Sequence, residues 1–244
     1  MQPRAAAAPF TLDVRTKLYV WLSGVFVTAL VVANMIGSKL FAFVIDLPLL
    51  GKVPVEHTVG MIPFPLTFLL TDLLNEYYGR KATRRITYIA FSMSALAFVF
   101  IALARAIPIK EGIPGTATQE SFENIFGQAS LMYIASILAF LCGSLLDIWI
   151  FGLFKRLTRG RLVWLRATGS TVISQVFDSL LVTWLFFWAL PAAMGNDHAD
   201  LRFVLQTAAT GYILKFVIAV LLTPLVYLGR WIIRRYFGMQ PAAA

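Results

Sequence analysis

Four polar side chains interrupt the apolar stretch STVISQVFDSLLVTWLFFWAL (170–190): Thr171, Ser174, Gln175 and Asp178, at i, i+3, i+4 and i+7. On a helix that spacing places all four along one stripe. A carboxylate accepts two donors side by side, an amide donates and accepts, and hydroxyls do both. The stripe therefore reads either as a recognition surface for a small polar solute or as a hydrogen-bonding seam between helices. Lys215, twelve residues into the last apolar run, sets an ammonium at a depth similar to that of Asp178. An acid and a base at mid-depth on consecutive helices either neutralise each other or share a ligand. Asp72 and Glu76 fall at i, i+4 in FLLTDLLNEYYGRK (68–81), Asp147 lies in LDIWIFGLFKR (146–156), and Asn34 lies in VVANMIG (31–37). Charges of this kind cost about 3 kcal/mol or more within a bilayer, so each is expected to face a bundle interior or a water-filled cavity.

Nothing in this set suggests bond-making chemistry. His57 and His198 both fall in connections, Ser174 beside Asp178 lacks a histidine, and neither a GxSxG elbow nor a P-loop occurs. The sequence therefore predicts a non-enzyme that needs no cofactor and no metal.

The elements that hold these residues follow from composition. Of 244 residues, 59% are hydrophobic and 14% charged. Apolar runs of about 20 residues recur, the length that crosses roughly 30 Å of hydrocarbon at 1.5 Å per residue. Alternating ~10-residue strands are not evident, so the pattern predicts an all-α polytopic membrane protein. Six transmembrane helices are expected near 17–37, 58–78, 86–107, 128–153, 168–190 and 203–229. They make one membrane domain, 17–236, between an N-terminal tail at 1–16 and a C-terminal tail at 237–244. Pro63 and Pro65 are expected to keep the first turn of the second span irregular. The connection FAFVIDLPLLGKVPVEH (41–57) is apolar and β-rich enough for a small hairpin or a re-entrant piece, and a short surface helix is expected after Thr118.

A net charge of +9 would suggest nucleic acid in a soluble protein, but its distribution argues otherwise. Fifteen basic residues fall on one side of the expected topology, including Arg80–Arg85 and Lys155–Arg166, against five on the other. The positive-inside rule then places both termini in the cytoplasm, with the basic flank against anionic membrane lipid. Near that flank Glu76 is expected to pair with Arg80 one turn on, and Asp147 to pair with Lys155 or Arg156 or to cap. Asp72, flanked by Thr71 and Asn75, reads as a ligand or coupling group, and Asn34 as a hydrogen-bonding partner of a ligand or of another helix. Ala29 and Ala33 form a small-xxx-small pair that lets a helix approach closely, from the same bundle or from a second copy in a homodimer.

The segments FLLTDLLNEYYGRKATRRI (68–86), LDIWIFGLFKR (146–156), WLRATGSTVISQVFDSLLVTWLFF (164–187) and GYILKFVIAVLLTPLVYLG (211–229) occur in order. With its TDL…E-aromatic-YG turn, its W-x-R…ST…Q…DS stretch and a lysine in the last span, the chain resembles the queuosine precursor transporters of the vitamin uptake transporter group. The resemblance covers most of residues 20–230. It implies a six-helix inner-membrane carrier, similar in architecture to the substrate-binding subunits of energy-coupling-factor importers. The implied cargo is 7-cyano-7-deazaguanine or 7-aminomethyl-7-deazaguanine, used in modification of tRNA. On that reading Asp178 takes the N1–H and N2–H₂ edge, Gln175 suits O6, and Lys215 donates to O6 or the nitrile. Ser174, Asp72, Asn34 and Glu76 join them as candidate substrate-binding residues, and Phe177, Trp184, Tyr212 or Phe216 stacks on the ring. Driving force stays open between facilitation, proton symport and a separate ATPase module. Competing readings are a carrier of another flat heterocycle and a non-transporting membrane scaffold.

Overall fold

Asp13 starts the first helix: its carboxylate accepts from the backbone N–H and the hydroxyl of Thr16, satisfying a donor that the helix itself leaves unpaired. α1 then runs over Val14–Ile36, 23 residues or about 35 Å. The computed structural model describes residues 11–47, 51–110, 113, 117–127, 130–159 and 161–242; of residues 43, 45–47 and 51–57 only the backbone is described. The expected N-terminal tail thus lies outside the described residues up to residue 10.

After α1 the chain forms an antiparallel hairpin, β1 (Leu40–Leu47) with β2 (Gly51–Thr58), in the register Leu40↔Thr58 to Leu47↔Gly51. The expected hairpin is therefore present in an otherwise helical chain. A 3₁₀ turn at Val59–Met61 leads into α2, Phe64–Ala106. Pro65 sits in the first turn of α2, where a missing N–H is no loss. The remaining helices are α3 (Gln119–Phe126, capped by Thr118), α4 (Ser130–Leu157), α5 (Val163–Trp184), α6 (Leu190–Ala193) and α7 (Leu201–Phe237). Between α5 and α6 residues Leu185–Ala189 wind as a π-helix.

Five helical stretches are long and apolar enough to cross a membrane, with mean hydropathy of 1.6 to 2.2 in their most apolar windows. The surface is the inverse of a soluble protein's: Trp21 is 74% exposed and Leu221 69%, in company with Phe100, Leu103 and Ile213. Polar residues such as Arg166, Ser170 and Ser174 are buried instead. That inversion suits a lipid surround, and the chain is a multi-pass membrane protein. Inside, Phe26 and Leu30 of α1 pack with Leu70, Leu74, Ile86 and Ala90 of α2 and Phe140 of α4. Ala29 and Ala33 are buried within this chain's own bundle.

α2 is not one rod. Its 43 residues would reach about 65 Å, twice the hydrocarbon thickness. At Gly79 the backbone adopts φ 77°, ψ 171°, a conformation open essentially to glycine alone. The break leaves carbonyls at the end of the first half without helical partners. Three outside donors reach them. Lys155 Nζ bonds the Glu76 carbonyl at 3.3 Å, the Ala242 N–H bonds the same oxygen at 2.8 Å, and Arg15 Nη2 bonds the Tyr77 carbonyl at 3.0 Å. Two of the three are cations at a helix C-terminus, the end the helix dipole makes negative. Gly79→Ala is expected to lower stability by about 1–3 kcal/mol through backbone strain. Crowding contributes nothing, since a Cβ there would meet only the Ala242 Cβ at 4.0 Å. Thermal unfolding in detergent reads the effect, and a variant melting with the parent would contradict the positive-φ break.

Candidate functional site

The buried polar residues gather at two centres joined by the α5 stripe. At the first, Lys215 Nζ of α7 donates to Asp178 Oδ2 of α5, both side chains less than one-tenth exposed. Lys215 also lies 5.6 Å from the centre of the Phe64 ring, a cation–π contact. α4 can approach Asp178 because it offers Gly143 there: a Cβ would come within 3.2 Å of Asp178 Oδ1.

The ion pair lies at one wall of a cavity of about 270 Å³, close to the lower end of the ~300–1,000 Å³ usual for small-molecule sites. α1 contributes Asn34, α4 contributes Tyr133, Ser136 and Phe140, and α5 contributes Ser179 and Thr183 beside Asp178. The π-helical segment adds Phe186 and Phe187, and α7 adds Thr207, Thr210 and Gly211. Leu40 and Thr58, where the hairpin meets the bundle, complete the lining. Asn34 Nδ2 donates to the Leu30 carbonyl at 3.0 Å, and the buried Ser179 hydroxyl has no partner among the described residues. The chamber is thus mostly apolar and aromatic with a few polar groups, the make-up of a selective pocket.

The second centre surrounds Glu76 on α2. Arg166 of α5 reaches it at 2.6 Å, Arg230 of α7 at 3.3 Å and Lys155 of α4 at 3.5 Å. The expected Glu76–Arg80 pair is replaced by these three. The reason is the break: an i, i+4 pair needs continuous helix, and Gly79 interrupts it. Arg80 instead lays its aliphatic stem against Gly152 of α4.

Asp147 of α4 also takes partners other than the expected Lys155 or Arg156. Its Oδ1 accepts from Ser174 at 3.2 Å and Thr171 at 3.4 Å. Lys155 lies eight residues on, about 12 Å along the helix, and serves Glu76. Of the sequence candidates, Asp178, Lys215 and Asn34 line the cavity. Ser174 belongs to the Asp147 network, and Gln175 is buried between the two centres with Oε1 unpartnered among the described residues. Asp72 faces a separate small hollow, and Glu76 sits in its ion cluster. Trp184 is 40% exposed and stacks on Trp188, with ring centres 5.8 Å apart. Phe177 and Phe216 are exposed. The rings that do line the cavity are Phe64, Tyr133, Phe140, Phe186 and Phe187. A sequence signal for them exists in part: Tyr133 and Phe140 are seven apart, on one face of α4.

No solved structure matches the chain. A probable queuosine precursor transporter of Bacillus subtilis (strain 168) is 31% identical over 70% of this chain and 70% of its own length. The queuosine precursor transporter of Escherichia coli (strain K12) is 27% identical over 86% of this chain and 85% of its own. A probable queuosine precursor transporter of Haemophilus influenzae (strain ATCC 51907 / DSM 11121 / KW20 / Rd) is 24% identical over 85% and 84%. The profile of the family described as putative vitamin uptake transporter matches residues 58–229, a span that takes in both centres and most of the cavity wall. With a bundle of apolar helices around a buried, ligand-sized chamber, this chain belongs to that family of membrane transporters.

Proposed function

We propose that this protein imports a queuosine precursor across the cell inner membrane, and that the cavity beside Asp178 and Lys215 is where the solute binds. The carrying observation is the ion pair at the wall of an aromatic chamber of about 270 Å³. A 7-deazaguanine presents N1–H and N2–H₂ as adjacent donors and O6 as an acceptor. Asp178 accepts the donor pair, Lys215 donates to O6 or to the nitrile or aminomethyl arm's neighbourhood, and rings such as Phe186 and Phe187 cover the flat faces. Asn34 and Ser179 supply further hydrogen bonds at the rim. The names of the three relatives support the substrate class.

On this reading the chain crosses six times, α2 counting as two at Gly79, in an architecture like that of energy-coupling-factor binding subunits. Parity supports the count. Arg15 near the first helix and Ala242 beyond the last meet at the same helix break, so both ends lie on one side and the crossings are even in number. The basic excess on that side puts it in the cytoplasm.

Calorimetry on the purified protein tests the proposal with 7-cyano-7-deazaguanine, 7-aminomethyl-7-deazaguanine, guanine, queuine and an analogue lacking the N2 amine. At least one deazaguanine is expected to bind, and the analogue to bind 10²-fold or more weaker, because it leaves a carboxylate oxygen unpaired. Equal affinity for the analogue would remove Asp178 as the reader of that edge. Heat from none of the five would end the substrate assignment.

A further inference from the structure

Asp72 of α2 is 5% exposed, and its Oδ1 is buried without a hydrogen-bond partner among the described residues. It lines a hollow of about 10 Å³ with Thr171 and Thr168 of α5 and Thr223 of α7. That is room for about one water. An ionised carboxylate oxygen in such a place lacks solvation, and buried acids escape that cost by pairing or by taking a proton. Pairing is preempted here. The charged groups facing Asp72 are Asp147 of α4, Glu76 one turn along α2, and Arg166 of α5. Arg166 is held by Glu76 at 2.6 Å, as are Lys155 of α4 at 3.5 Å and Arg230 of α7 at 3.3 Å.

The hollow is connected to the cavity. Thr171, whose hydroxyl lies 3.4 Å from Asp147 Oδ1, lines the hollow, and Asp178 lines the cavity. Buried Ser174 and Gln175 fill the stripe between them, about 10 Å along α5.

We propose that Asp72, with Asp147 as second carboxylate, is the protonation site that couples solute movement to a proton gradient. The inference rests on the carrier reading above. A dehydrated metal cation needs several oxygen ligands around it. A hollow of one water's size, with Asp147 Oδ1 already serving two hydroxyls, suits a proton instead. The three carboxylates Asp72, Glu76 and Asp147 stand against three cations, Lys155, Arg166 and Arg230. One added proton therefore changes the charge of the cluster that ties α2, α4, α5 and α7 together. A proton taken up more tightly in one arrangement of those helices shifts the population between arrangements.

The experiment uses the full chain in liposomes, membrane potential clamped, with labelled 7-cyano-7-deazaguanine. Exchange at equal pH is measured beside net uptake under an inward acid gradient. The unaltered protein is expected to accumulate solute about tenfold per pH unit at one proton per solute. Asp72→Asn is expected to keep exchange and to equilibrate without accumulating. Exchange without any effect of the pH gradient, or accumulation driven by sodium instead, overturns proton coupling while the carrier reading stands. Accumulation by Asp72→Asn at the parental level removes Asp72 as the site. Absence of exchange overturns the carrier reading and the coupling with it. Should Asp72→Asn fail to fold, a lumenal pH dye in vesicles of the unaltered protein decides. Acidification on adding solute supports the coupling, and its absence overturns it.

Discussion

Glu76→Gln is expected to destabilise the protein by about 3–5 kcal/mol, the usual result of removing one partner from a buried charge cluster. Lys155, Arg166 and Arg230 all turn to this one carboxylate, from three different helices. Glutamine keeps the shape but leaves three cations in a buried place without their counter-charge. Unfolding in detergent, followed by temperature or denaturant, reads the loss directly. Glu76→Asp keeps the charge and is expected to fall between parent and Gln. A Gln variant as stable as the parent would mean that water reaches these cations and that Glu76 does not hold the helices together.

Asp178→Asn carries the second large effect, on the solute. Two charge-assisted hydrogen bonds at about 1.5–3 kcal/mol each disappear, so affinity for a deazaguanine should fall by 10² or more. The same change strips Lys215 of its acceptor, and lost affinity alone would not separate recognition from damage. The neutral double variant Asp178→Asn/Lys215→Gln separates them. It removes the orphaned charge and is expected to recover stability while binding stays lost. Near-parental binding by the double variant would show that the pair serves packing and that another group reads the solute.

The sequence made the polar stripe of α5 legible because 3.6-residue periodicity survives in any helix, whatever surrounds it. Matching depths of Asp178 and Lys215 followed from counting residues along two antiparallel spans. Glu76 and Asp147 were harder. Their neighbours in sequence, Arg80 and Lys155, are not their partners, since a break at Gly79 and 12 Å of helix intervene. Nothing in YYGRK announces that its glycine sits at φ 77° and ends the periodicity. The cavity's rings were equally hidden. Phe64, Phe186 and Phe187 come from distant segments, and a phenylalanine facing a chamber has the same local sequence as one facing lipid.

The π-helical turn at Leu185–Ala189 holds one residue more than an α-helix of the same rise would need, and it carries Phe186 and Phe187. Removing any single residue there would rewind the turn, rotating all that follows by about 100° and drawing it in by about 1.5 Å. Asp178, a turn and a half earlier, would stay in place. Chain length alone, with composition almost untouched, therefore sets which way this phenyl wall looks.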